Sequence, residues 1–296
     1  MESLPDDEKL VVQELRSSLL LYADTEKWQQ SNEFLLSGYR EPSGSVIGSV
    51  KSICQLHNET VNIYSHLIGG LVFALLPIYF RFVYDPSATD LLVVAIYTSG
   101  VAICFFLSAL YHILDNHSHA VSAFFNQLDY IGIVVLMWGA SVPTIYYGFL
   151  CDMRLRLVYW GVMTFAASCC AVVTFLPCFG TPRFRAYRAG VYASLGLTGL
   201  VFVIHGLVLL GWETQNRRMA LTWMVGMALV NLAGAVVFAT RIPERWVPYR
   251  FDIVGCSHQI FHVAVMIAAC LHFVGVLSAF WGTRGGSCDA GQMAIN

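Results

Sequence analysis

The sequence predicts an all-α membrane protein: a seven-transmembrane helix bundle with its N-terminus in the cytoplasm and its C-terminus outside. Three observations carry this expectation. Hydrophobic residues make up 57% of the 296 residues and charged residues only 12%, with a mean hydropathy of +0.62. A soluble domain carries about 25% charge, so this composition suits a bilayer better than water. Seven apolar stretches are each about long enough to cross ~30 Å of hydrocarbon at ~1.5 Å per residue. The connections between them are short and hold most of the remaining charge.

Residues 1–62 form a polar, cytoplasmic N-terminal segment. Within it Leu10, Val11, Leu15, Leu19 and Leu20 recur at helical spacing, the pattern of a short amphipathic helix lying on the membrane or against the bundle. A partly ordered tail fits the same periodicity. The first fifty residues are polar and acid-rich, so no cleavable signal peptide is expected. Spans are predicted at 63–83, 90–112, 125–149, 156–178, 189–211, 219–239 and 255–281. The transmembrane domain is thus 63–281, followed by a short outer tail, 282–296. Pro77 and Pro143 fall inside spans, where partner helices can re-satisfy the freed carbonyls. Gly69, Gly70, Gly196, Gly199 and Gly234 allow close helix approach, and read equally as ordinary membrane-helix glycines. No internal repeat is present.

Orientation follows from the basic residues. Of 17 Lys and Arg, eleven lie on the side of the N-terminal segment: Lys9, Arg16, Lys27, Arg40 and Lys51, then Arg183, Arg185, Arg188, Arg241, Arg245 and Arg250. That side is therefore expected to be cytoplasmic. The sequons at Asn58 and Asn116 fall on it and are expected to be unused. A net charge of −2 argues against a nucleic-acid partner. The nine cysteines show neither a disulfide framework nor a CxxC knuckle.

Ionisable groups within spans are costly and usually functional. Four converge at the cytoplasmic level: His112 at the end of span two, Asp129 near the start of span three, and His258 and His262 in the first turns of span seven. His258 and His262 are i and i+4, so one helix face offers both imidazoles to one metal ion. His112 offers a third nitrogen, and three histidines with an open fourth position suit zinc. Asp129 is placed to act through a water or to orient a ligand. Ser108 lies one turn before His112 on the same face. Each residue also has a plainer reading: an HxxxH pair is a weak signal alone, interfacial histidines serve as polar anchors, and Asp129 could cap span three or pair with an arginine. The shared depth of all four favours the metal. Haem is disfavoured because His258 and His262 share one helix. Transport is disfavoured because His205 and His272, the ionisable groups of the outer half, read as packing residues.

Three segments then carry a resemblance. Glu59-Thr60-Val61-Asn62-Ile63-Tyr64-Ser65-His66, Ser108-Ala109-Leu110-Tyr111-His112 and Ser257-His258-Gln259-Ile260-Phe261-His262, with Asp129 between the last two, resemble in order the signatures of the progestin and adipoQ receptor family. That family includes the adiponectin receptors and is related to the hemolysin III proteins. Residues 32–40 also resemble the segment before the first span of adiponectin receptors. The resemblance runs from about residue 28 to 281. It implies the same seven-helix fold and Zn2+ held by His112, His258 and His262, with Asp129 linked through water and Ser108 matching the family serine. The implied activity is ceramidase-type amide hydrolysis of a ceramide-like membrane lipid, linked to lipid and zinc homeostasis. Asp129 would hold or deprotonate the water, and Ser108 would help stabilise the oxyanion. An extracellular protein ligand, and residence in the plasma membrane or endoplasmic reticulum, are also implied. The short tail and N-terminal segment suggest a fungal or other non-animal member. The competing expectation is a non-catalytic receptor with a structural zinc. His66 is expected to support the site rather than ligate. Cys256, a ligand by chemistry, is not called for by the family pattern.

Overall fold

The computed structural model describes residues 19–176 and 182–284. The amphipathic pattern at 10–20 lies outside the described residues except for Leu19 and Leu20, and most of the tail at 282–296 lies outside them too. Among the described residues, seven helices are long and apolar enough to cross a membrane: α1 (Thr60–Tyr84), α2 (Ala88–Leu114), α3 (His119–Gly148), α4 (Met153–Thr174), α5 (Arg185–Met219), α6 (Leu221–Thr240) and α7 (Ser257–Thr283). The chain is a multi-pass integral membrane protein. Phe82, Phe165 and Val208 are 83%, 73% and 78% exposed, a surface that lipid rather than water solvates.

The spans begin and end where side chains can take over orphan backbone groups. Ser87 Oγ accepts the Asp90 N–H at 3.1 Å to start α2, and Asp152 Oδ1 accepts the Leu155 N–H at 2.9 Å to start α4. Two ends depart from the hydropathy reading. α3 starts at His119 rather than at 125, which adds polar turns beyond the apolar run. α5 continues past 211 as a second helical piece: Gly211, at φ +72°, makes the break that hydropathy reads as an end. Pro77 and Pro143 lie inside α1 and α3.

Packing centres on two regions. Phe73, Tyr97, Phe105, Phe273 and Phe280 fill a core among α1, α2 and α7. Ile145, Phe149, Met163, Phe202 and Met219 fill a second among α3, α4 and α5. α7 lies against α6 and also meets α1, α2, α3 and α5, so residues on it can face several helices at once. α2 and α3 approach most closely. A Cβ added to Gly132 would lie 2.9 Å from Cys104 Cα, backbone that cannot move aside. Gly69, Gly70 and Gly234 do face tight neighbours (Phe105, Phe106 and Ala264), whereas Gly196 and Gly199 meet only ordinary contacts.

The N-terminal face is closed by two polar segments. Residues 19–59 run across it, pinned by a bridge between Leu20 and Tyr39 with N–O distances of 2.7 and 3.2 Å, and include a short helix, Val46–Lys51. Leu35, Tyr39 and Cys256 form a small buried cluster that ties this strap to the start of α7. The α6–α7 connection completes the layer: Asn32 Nδ2 donates to Glu244 Oε1 at 3.1 Å, and Ser37 Oγ donates to Asp252 Oδ2 at 2.7 Å.

Candidate metal centre

His112 sits two residues before the end of α2. His258 and His262 are the second and sixth residues of α7. The folded bundle brings the three together: one ring nitrogen from each lies within 4.8 Å of the others. His112 Nε2 and His258 Nε2 are 3.3 Å apart. Two nitrogens on one tetrahedral zinc, each at ~2.0–2.1 Å, stand about 3.3–3.4 Å apart. An N–H···N hydrogen bond gives a similar spacing for a pair, while a third imidazole nitrogen within 4.8 Å of both matches a centre that takes three donors. The donor set therefore fits a metal ion. His112 and His262 are 2% and 3% exposed while His258 is half-buried, so the cluster opens on the His258 side.

Asp129 stands outside the three-histidine group. It stands near buried Ser108 and close enough to His112 to interact electrostatically. Ten residues into α3, it lies about 15 Å along that helix at ~1.5 Å per residue. The early start of α3, rather than a different depth in the bundle, accounts for this. His66 does not join the cluster. Its ring stacks between Phe105 and His262, with centroids 4.5 and 3.8 Å away. Cys256 faces the strap, and burial pushes its thiol up to about 12, far from a thiolate ligand. His205 pairs with the Tyr159 hydroxyl at 2.5 Å and His272 with the Ala140 carbonyl at 3.1 Å, as packing residues do. Both sequon asparagines are 4% exposed, and Asn116 Nδ2 is engaged by the Glu41 carbonyl, so neither offers its amide to a glycan.

Three further side chains hold the helix ends that carry the three histidines, and sequence reading assigns none of them that task. The Arg40 guanidinium is buried and donates to the His112 carbonyl at 2.6 Å, the Ile113 carbonyl at 3.1 Å and Ser52 Oγ at 2.9 Å. It thereby caps the C-terminus of α2, where free carbonyls and the helix dipole both favour a cation. Glu244 does the converse for α7: its carboxylate accepts the Ser257 N–H at 2.7 Å and the Ser257 hydroxyl, one residue before His258. Glu59 Oε2 lies 2.7 Å from His112 Nδ1 and accepts Asn62 Nδ2 at 2.6 Å. Burial alone would raise the Glu59 carboxyl, but the neighbouring His112 and Asn62 outweigh it and hold the group well below the usual carboxylate range.

His57 borders this layer. Its Nδ1 accepts the Glu59 N–H at 3.1 Å, and burial, then Arg40, push its pKa down to about 3. The unfolded imidazole, at about 6.5, binds a proton that the folded one refuses, so this stabilising contribution falls as pH drops from about 6.5 toward 3. His57→Gln should lose stability less steeply than the parent chain over that window in thermal melts. Parallel pH profiles would contradict the assignment.

Comparison with known proteins agrees with this architecture. The Haemolysin-III related family profile matches residues 54–273. The chain is 38% identical over 257 residues to the adiponectin receptor protein of Drosophila melanogaster, covering 86% of this chain and 58% of that one. It is 37% identical over 265 residues to progestin and adipoQ receptor-like protein 1 of Caenorhabditis elegans, covering 89% and 61%. It is 34% identical over 258 residues to the ADIPOR-like receptor IZH2 of Saccharomyces cerevisiae, covering 86% and 81%. The chain thus spans about three fifths of the length of the two animal relatives. With the family match covering most of the chain, and relatives in animals and fungi aligned over 86–89% of it, the chain belongs to the haemolysin III-related family, among its progestin and adipoQ receptor-like members.

Proposed function

We propose that this chain is a zinc-dependent lipid amide hydrolase of the ceramidase type, built into a receptor-like seven-helix body whose N-terminal face is cytoplasmic. The observation that carries the reading is the convergence of three imidazoles from α2 and α7, with Asp129 and Ser108 beside them. His112, His258 and His262 would hold the ion. When bound, zinc supplies Lewis acidity, lowering the pKa of a coordinated water to about 7 and polarising a carbonyl.

The chain's own residues account for the rest of the chemistry. On the His258 side α6 packs beside the cluster, with Phe238 5.1 Å from the His258 ring, an apolar surface against which an acyl chain would lie. Asp129 takes the proton of the attacking water and returns it to the departing amine. Once Asp129 carries the water's proton it no longer needs a donor from Ser108, so the Ser108 hydroxyl hydrogen is free to turn toward the carbonyl oxygen as charge develops there. Water adds across the amide, giving a free fatty acid and a sphingoid base. The near-complete burial of His112 and His262 favours a second reading, a receptor in which zinc only clamps α2 to α7.

Asp129→Asn separates the two readings. In reconstituted protein supplied with a ceramide-type amide, it should keep one zinc per chain while fatty-acid release falls about 100- to 10,000-fold. A metal-loaded parent chain that releases no fatty acid would support the structural reading instead.

A further inference from the structure

We propose that Glu59 is the positioning residue of the metal centre: its carboxylate accepts a hydrogen bond from the Nδ1–H of His112, fixes the ring orientation and leaves Nε2 free as the ligand atom, while Asn62 holds that carboxylate in place. This inference rests on the metal reading above.

Four observations support it. Glu59 is the N-cap residue of α1, and its side chain makes no capping bond to its own helix. It reaches across to α2 instead, placing Oε2 2.7 Å from His112 Nδ1. The same oxygen accepts Asn62 Nδ2 at 2.6 Å, so the carboxylate is fixed from its own helix, one turn on. The opposite nitrogen of His112 is the one directed into the cluster, 3.3 Å from His258 Nε2. An imidazole with Nδ1–H donated outward presents an unprotonated Nε2, the form a metal requires. Arg40 holds the His112 carbonyl at 2.6 Å, so backbone and ring of this one ligand are oriented independently. A simple Glu59–His112 ion pair would place a proton on both ring nitrogens and remove the donor. The two roles therefore make opposite claims about metal affinity.

The test is zinc affinity by chelator competition, and the visible spectrum of the cobalt-substituted protein, for the full chain reconstituted in lipid. The parent, Glu59→Ala, Glu59→Gln and His262→Ala are compared. Glu59→Ala should bind zinc about 10- to 100-fold more weakly, as loss of a histidine's outer partner does, with an altered cobalt spectrum. Glu59→Gln, which keeps an acceptor oxygen, should recover part of that loss, and it supplies the measurement if the alanine variant does not fold. Parent-like affinity and spectrum in both Glu59 variants, with His262→Ala metal-free, would overturn the role of Glu59 and leave the metal centre standing. A parent chain that binds neither zinc nor cobalt would remove both.

Discussion

His262→Ala is expected to lose its metal and its lipid amidase turnover together. A structural zinc contributes about 10–16 kcal/mol through four ligands, so one ligand is worth on the order of 3 kcal/mol, roughly a hundredfold in affinity. Removing His262 also leaves a void beside His66, whose ring stacks on it at 3.8 Å. With His112 and His258 alone, two nitrogens remain 3.3 Å apart and the third corner is gone. Elemental analysis of purified protein checks the metal, and fatty-acid release checks the chemistry. Full turnover in a variant verified to be metal-free would sink the hydrolytic reading. His272→Ala, whose ring bonds the Ala140 carbonyl in the opposite half of α7, should keep its metal.

Arg40→Met is expected to destabilise the chain by about 3 kcal/mol, because a charged donor leaves buried carbonyls unpaired. The two carbonyls are those of His112 and Ile113, at 2.6 and 3.1 Å, so the damage falls at the end of α2 that presents His112 to the histidine cluster. Asp115 and Glu59 also lose the cation that offsets their charge. Methionine retains the length and much of the packing of the arginine stem, which isolates the polar loss. Unfolding in denaturant-titrated lipid particles would measure it, with faster zinc loss to a chelator as the local readout. A change within about 0.5 kcal/mol, the range of an ordinary surface substitution, would mean that this cap contributes nothing.

The bundle was legible in the sequence because a helix crossing hydrocarbon needs about 20 apolar residues in a row, a signal local to each span. What escaped was local backbone geometry: hydropathy cannot distinguish the break at Gly211 from a helix end, nor see the polar first turns of α3. The glycines that let α2 and α3 meet, Gly100, Gly132 and Gly139, were missed for a different reason, since a glycine matters only for what faces it.

The histidine cluster was legible because its residues carry their own signal: histidine inside a span, an i, i+4 pair, and one shared depth. Its supports carried none. Glu59, Arg40 and Glu244 each lie outside the apolar spans, where acids and bases are ordinary and read as caps or anchors. Their partners are 53, 72 and 13 residues away in sequence, and only the fold joins them.

The central claim is that His112, His258 and His262 hold one metal ion. X-ray absorption at the zinc edge of purified, lipid-reconstituted protein tests it most directly. The expected result is one zinc per chain with three imidazole nitrogens at about 2.0–2.1 Å and a light-atom fourth ligand. A protein that retains no metal after purification and zinc loading, or a shell dominated by sulfur at about 2.3 Å, would contradict it.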